Sequence, residues 1–400
     1  MAEVQSNVPP KKGGFSLSDT KTRGLIYQAL TIAMVVYGIW WIIDNAANNM
    51  AAQNIKFGFG FLTTQSGFGI IQSLIDYNES SSYGRVFFVG LLNTLIVALI
   101  GCILTTIIGF IVGVGRLSKN WLINKISTIY VETLRNIPLL LQIFFWYNAV
   151  LKPLPGPRDV HDKGDQLWFS LSNNGLMIPK PIPEGGFWIV FTIFVLGIIG
   201  AIVIKKWAFN RQMATGQQFK TIWTTLGLII VLPLLAFVVM GSPLHFQPGE
   251  MGTFRPNAGF GLNVIPEFIA LLLALVAYTS AFVAEIVRAG IQSVSHGQTE
   301  ASYALGLRPG PTLKLIIIPQ AMRVIVPPLT SQYLNLTKNS SLAVAIAYPD
   351  LVAVFTGTVL NQTGKAVEII MMTMLVYLSI SLVTSTFMNW YNDRVKLVER

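Results

Sequence analysis

Charge is scarce in this chain of 400 residues. Asp, Glu, Lys and Arg together make up 12% of it, where a soluble globular domain carries about a quarter. Cysteine is nearly missing as well. Cys102 is the one copy, which excludes an intramolecular disulfide and any metal site built on thiolates. The three histidines, His161, His245 and His296, are far apart and read as ordinary loop residues, so no metal is expected. A nucleotide-phosphate loop is absent too. Gly357 and Gly364-Lys365 come near one, but six residues separate the glycines where four are needed, and Ala366 stands where Ser or Thr must hold magnesium. No nucleophile–base constellation is present. The chain is therefore not expected to be an enzyme, and it has no catalytic or cofactor-binding residues of its own.

Apolar surface is what the chain does have. Hydrophobic residues are 52% of it and the mean hydropathy is +0.58. Crossing a bilayer core takes about 20 apolar residues in a helix. Eight segments qualify: 25–43, 86–113, 132–151, 187–204, 221–241, 266–288, 315–335 and 368–390. The expectation is an all-α integral membrane protein with eight transmembrane helices. The third and seventh segments carry Glu132 and Arg135, and Pro319, Arg323, Pro327 and Pro328. Breakers and charges at membrane depth need neighbouring helices or a cavity to satisfy them, so both segments are expected against other helices. Segment 25–43 has a basic flank but an apolar run too long for a cleaved leader. It reads as a retained span, with Trp40 and Trp41 suited to an interfacial belt.

Lys and Arg are distributed unequally between the loops. With the N-terminus in the cytoplasm, 17 of them fall inside and 9 outside, while Arg135 and Arg323 lie within spans. That bias predicts both termini inside. It also accounts for the formal charge of +10 without nucleic acid. The chain then divides into a cytoplasmic tail 1–24 (flexible over 1–20), an additional helix 25–43, an external segment 44–85, a first core part 86–151, an insertion 152–261, a second core part 262–390 and a cytoplasmic tail 391–400. The insertion opens with an external loop over 152–186, rich in Pro and Gly and carrying Asp159, Asp162 and Asp165. Two plain apolar spans without ionisable residues follow, as expected of helices against lipid.

Residues 291–312 form a cytoplasmic loop with strong local signals. Ser295 and Gln298 have capping-box spacing. Ala301, Ser302, Ala304 and Leu305 favour a compact helix, Gly306 suits a left-handed stop, and Pro309 and Pro311 prevent continuation. A helix near 296–305 is expected. An ordinary capped loop helix and a surface for another protein fit these signals equally well.

The run Gly297-Gln-Thr-Glu300-Ala301-Ser302-Tyr-Ala-Leu-Gly306, with Ile318-Pro319 following, resembles the Glu-Ala-Ala loop of ATP-binding-cassette import permeases. Ser302 stands where that motif has Ala, and Gly306 lies four positions after it. Leu134-Arg-Asn-Ile-Pro138-Leu-Leu-Leu-Gln142 is similar to a run in polar-amino-acid permeases, with Asn136 and Ile137 in place of Gly and Thr. Ala277-Tyr278-Thr-Ser-Ala-Phe-Val-Ala-Glu285-Ile-Val-Arg288 resembles their Ala-Tyr…Glu-Ile-x-Arg helix, with three extra residues before Glu285. Pro319-Gln320-Ala321 and Lys338-Asn-Ser-Ser-Leu342 match two more signatures.

The likeness covers about 86–151 and 262–390. A long permease with this insertion is similar to the Q-type subunits of the general L-amino-acid transporters, the Aap/Bzt group. The resemblance implies a five-helix type I importer core with three additional helices, in the bacterial inner membrane. It implies that Gly297, Glu300, Ala301, Ser302 and Gly306 couple to an ATP-binding-cassette ATPase dimer, which holds the ATP and Mg. It implies a second homologous permease, a soluble periplasmic amino-acid-binding protein and L-amino acids as cargo.

Ionisable residues within the spans leave two readings open. Glu132 and Arg135 are three apart, as are Glu285 and Arg288, so each pair can meet on one helix face. They either neutralise themselves or line and latch the inner end of a pathway. Gln142, Asn148, Tyr278, Thr279, Ser280, Gln332, Tyr333 and Asn335 are polar candidates for amino-acid contact. None has a distinctive spacing, and such residues more often bind a neighbouring helix. The rival function is an ion-coupled secondary transporter, which usually has a repeated half. No convincing repeat is present.

Overall fold

The fold was established from a computed structural model of the chain, which describes residues 20–52, 57–161, 168–252 and 259–395. The expected flexible tail, apart from Thr20, and the loop acids Asp162 and Asp165 fall outside the described residues. Two compact units are present, 1–61 and 62–400. The first contains α1 (Thr20–Ala52), with the expected first span near its middle.

In the second unit the helices are α2 (Tyr83–Gly115), α3 (Trp121–Asn136), α4 (Leu139–Leu151), α5 (Phe187–Thr215), α6 (Thr221–Val239), α7 (Pro266–Gln292), α8 (His296–Ala304), α9 (Pro309–Ile346), α10 (352–363) and α11 (Ala366–Val395). Among the described residues seven helices are long and apolar enough to cross a membrane: α1, α2, α5, α6, α7, α9 and α11. The expected third span, 132–151, is not one helix. Pro138 supplies no N–H, and it holds Ile137 extended at φ −97°, ψ 128°. This breaks the segment into α3 and the shorter α4. Asn120 caps α3, its side chain accepting from the amides of Leu122 (2.9 Å) and Ile123 (3.2 Å).

The prolines of the expected seventh span have a different outcome. Helix α9 runs through Pro319, Pro327 and Pro328. A π-helical turn at Leu313–Ile317 precedes Pro319. The wider turn makes room for a ring that would otherwise meet the carbonyl four residues back.

The chain is not purely helical. Strands β1 (Ser170–Ser172), β2 (Gly175–Ile178) and β5 (Leu262–Val264) form one small antiparallel sheet, and β3 (Lys180–Pro183) pairs with β4 (Leu244–Gln247) in another. Both are made by the segments flanking α5 and α6, so the expected loop 152–186 is ordered over its described residues into a one-turn helix, Pro157–His161, and three strands. His245 of β4 and Glu184, directly after β3, lie 3.3 Å apart.

Helix α7 is central. It packs on α2, α3, α4 and α9, while α11 packs on α9. Ala270, Leu271, Ala274 and Leu275 of α7 are fully buried with Val97 of α2, Ile143 of α4 and Tyr348. Glycines bring α2 and α7 close together. A Cβ on Gly113 would lie 2.7 Å from the Ala284 carbonyl and 2.8 Å from Val287 Cβ. Helices α5 and α6 pack on each other and expose most of their apolar surface. That exposure suits a lipid-covered pair, where charge would be costly.

Candidate functional site

Helix α8 begins at Ser295, which occupies the cap position without a side-chain capping bond. The capping box suggested by its spacing to Gln298 does not form. Instead Gln298 Oε1 accepts from Gln320 Nε2 at 3.2 Å, tying α8 to α9. The C-terminal stop follows the sequence expectation closely. Gly306 is left-handed at φ +76°. Its amide bonds the Tyr303 carbonyl at 2.9 Å, and the Leu307 amide bonds the Ser302 carbonyl at 3.0 Å. These two bonds define a Schellman stop.

The helix has two distinct faces. Ser302 is buried, and its hydroxyl donates to the Gln298 carbonyl at 2.6 Å. Thr299 and Tyr303 line a cavity of about 490 Å3 with Leu117, Val294 and Ile317. Gly297, Glu300, Ala301 and Ala304 are exposed on the other side, and Leu305 at the end is 81% exposed. Of the five expected coupling residues, Gly297, Glu300 and Ala301 thus share an outward face, Gly306 sets where it ends, and Ser302 points inward. His296, read from sequence as an ordinary loop residue, meets Glu300 at 2.9 Å one turn along.

The expected pairs of ionisable residues resolve differently from one another. Arg288 Nη2 meets Glu285 Oε1 at 2.5 Å, as their spacing requires. Glu132 and Arg135 do not form the expected pair among the described residues. Arg135 lies 3.8 Å from Glu285 on α7, with its guanidinium 5.0 Å from the Phe282 ring centroid. Glu132 meets Arg116 at 3.1 Å, and Arg116 also pairs with Glu285. Arg116 sits at the C-terminal cap of α2 and is only 11% exposed. Sequence reasoning placed it among loop cations. Its position directly after a 33-residue apolar helix was the one available signal. The cluster therefore joins α2, α3 and α7 around one carboxylate, Glu285. Opposite charges and shared hydrogen bonds hold the three helix ends together.

Gln142 is buried away from this cluster. Its amide donates to the carbonyls of Leu134 (2.9 Å) and Ile137 (3.0 Å), which the break at Pro138 leaves without helical partners. The other polar candidates mostly bind neighbouring helices. Ser280 shares a hydrogen bond with Tyr130 at 2.7 Å, Tyr333 shares one with Thr106 at 2.6 Å, and the Tyr278 ring lies against Phe282. Thr279 is buried with its hydroxyl unpartnered among the described residues. Gln332 is half-buried, while Asn148 and Asn335 are exposed.

Known proteins resemble this chain over nearly its whole length. The family described as "Binding-protein-dependent transport system inner membrane component" matches residues 195–397. The chain is 53% identical to the general L-amino acid transport system permease protein AapQ of Rhizobium johnstonii, over 96% of this chain and 95% of that protein. It is 51% identical to the putative amino-acid ABC transporter permease protein YhdX of Escherichia coli K12, over 97% and 98%. It is 42% identical to the glutamate/glutamine/aspartate/asparagine transport system permease protein BztB of Rhodobacter capsulatus, over 98% and 99%. With these identities across nearly the whole length, the chain belongs to the binding-protein-dependent transport inner-membrane components and, among them, to the Aap/Bzt group of ABC amino-acid transporter permeases.

Proposed function

We propose that this multi-pass inner-membrane chain forms half of the translocation pathway of an ATP-driven importer for L-amino acids. The ATP and Mg belong to a separate ATP-binding-cassette ATPase dimer, and the permease itself is not an enzyme. The observation that carries the reading is the outward face of α8, with Gly297, Glu300, Ala301 and Ala304 exposed and Gly306 ending the helix sharply. Small side chains there allow a groove on another protein to approach the backbone closely.

The five-helix type I core comprises α2, the α3–α4 segment counted as one crossing, α7, α9 and α11. Helix α1 and the pair α5–α6 are additions outside the pathway, against lipid. Both termini are cytoplasmic, and α8 lies on the cytoplasmic side. Glu132, Arg135, Glu285 and Arg288, with Arg116, latch the inner ends of three core helices. Gln142 supports the break in the α3–α4 crossing. Five helices do not enclose a pathway alone, so a second, homologous permease completes it. A soluble periplasmic amino-acid-binding protein delivers the cargo.

Two measurements test this. Uptake of amino acids into vesicles containing the complex is expected to stop with vanadate; full uptake under vanadate would instead point to ion coupling. The mass of the detergent-solubilised complex is expected to equal one copy of this chain, one sister permease and two ATPases. Two copies of this chain with no second permease would refute the heterodimer.

A further inference from the structure

At the end of α7 remote from α8, about 40 Å away along a helix of 27 residues, lies a cavity of about 660 Å3. Its volume falls within the range of small-ligand sites. Lys152, just past the end of α4, and Glu267, in the first turn of α7, both line it. Tyr147 stands between them. Its hydroxyl donates to Glu267 Oε1 at 2.8 Å, and the Lys152 ammonium lies 4.8 Å from its ring centroid. Lys152 and Glu267 do not approach within ion-pair distance of each other, and among the described residues neither has another charged partner. Ile71 and Pro266 contribute apolar wall beside them.

We propose that this cavity is an external vestibule for a zwitterionic α-amino acid, Lys152 taking the carboxylate and Glu267 the ammonium. Tyr147 fixes both ends, holding one carboxylate oxygen of Glu267 and leaving the other free to accept from an ammonium. A ligand with one charge leaves either Lys152 or Glu267 uncompensated, whereas a zwitterion satisfies both. The apolar wall faces the variable side chain and sets no charge requirement on it. The proposal rests on the amino-acid importer reading and extends it to residues outside the membrane-embedded polar candidates.

The test is equilibrium binding of L-leucine, L-leucinamide and N-acetyl-L-leucine to the assembled permease–ATPase complex in lipid discs, without binding protein. The native complex is expected to prefer L-leucine over both derivatives by about tenfold, the scale of one hydrogen bond to a charged group. Lys152→Met removes the discrimination against L-leucinamide, and Lys152→Arg retains it. Glu267→Gln removes the discrimination against N-acetyl-L-leucine. Variants that keep the native preference, or that lose all three ligands alike, overturn the vestibule. Vanadate-sensitive uptake by the native complex is read separately: if it persists while the variants are unchanged, the vestibule alone falls, and if it is absent, the importer reading falls.

Discussion

Arg116, at the end of α2, forms an ion pair with Glu285 on α7, although the two lie far apart in the chain and neither position suggests the other. Glu285 also receives Arg288 from its own helix and Arg135 from α3, so one carboxylate neutralises part of three guanidiniums. Removing its charge leaves those cations facing one another. Glu285→Gln is expected to destabilise the protein by about 1.5–3 kcal/mol, the range for losing hydrogen bonds to a charged group. In a double-mutant cycle by unfolding in mixed micelles, coupling of Arg116→Met to Glu285→Gln should exceed coupling of Arg135→Met to Glu285→Gln. Equal coupling would remove Arg116 from the centre of the cluster.

Gly306 has no heavy atom within 4 Å of where its Cβ would be, so its constraint is the left-handed backbone alone. Gly306→Val should cost about 1–2 kcal/mol at the end of α8. It should depress transport-coupled ATP hydrolysis while the permease still reaches the membrane. Gly306→Asn should retain most of the activity, because Asn tolerates this region. Full stimulated hydrolysis in the Val variant would count against α8 as the coupling element.

Helices α2 and α7 meet where Gly113 faces backbone, and backbone does not yield as a flexible side chain does. Gly113→Ala is expected to lower stability by about 1–3 kcal/mol through overpacking. Gly227→Ala, with nothing within 4 Å, should stay within about 0.5 kcal/mol of the native protein. Thermal unfolding of the purified protein in detergent compares the two directly. A Gly113→Ala melting temperature matching that of Gly227→Ala would mean the helices separate freely at this contact.

Membrane orientation has its own check. With Cys102 replaced by Ser, Ser80→Cys should react with a membrane-impermeant maleimide on intact cells. Glu300→Cys on α8 should react only after permeabilisation. Both positions are exposed, so access depends on the side of the membrane and not on burial. The reverse pattern would overturn the orientation read from the basic residues.

The bounds of α8 and its left-handed stop were legible in the residues, because a Schellman stop is decided by a few neighbours and by the one residue type that enters it without strain. Seven spans in the second unit were read as continuous crossings, and six of them, α2, α5, α6, α7, the Pro-rich α9 and α11, are single helices long and apolar enough to cross a membrane, because apolar length is itself a local property. The break at Pro138 was equally local, yet the run on either side is apolar enough that hydropathy alone carried across it. The tertiary structure alone decided the partners. Helix α2 is apolar on every side, so its sequence held no stripe to say which face meets α7. That register depends on Gly109 and Gly113 seating against Val283 and Ala284, and it is what delivers Arg116 to Glu285. The i,i+3 spacing of Glu132 and Arg135 permitted a local pair, but packing of α3 against α7 gave each a partner on another helix. Short-range hydrogen bonding is written in adjacent residues, whereas the charge cluster exists only once three helix ends have been brought together.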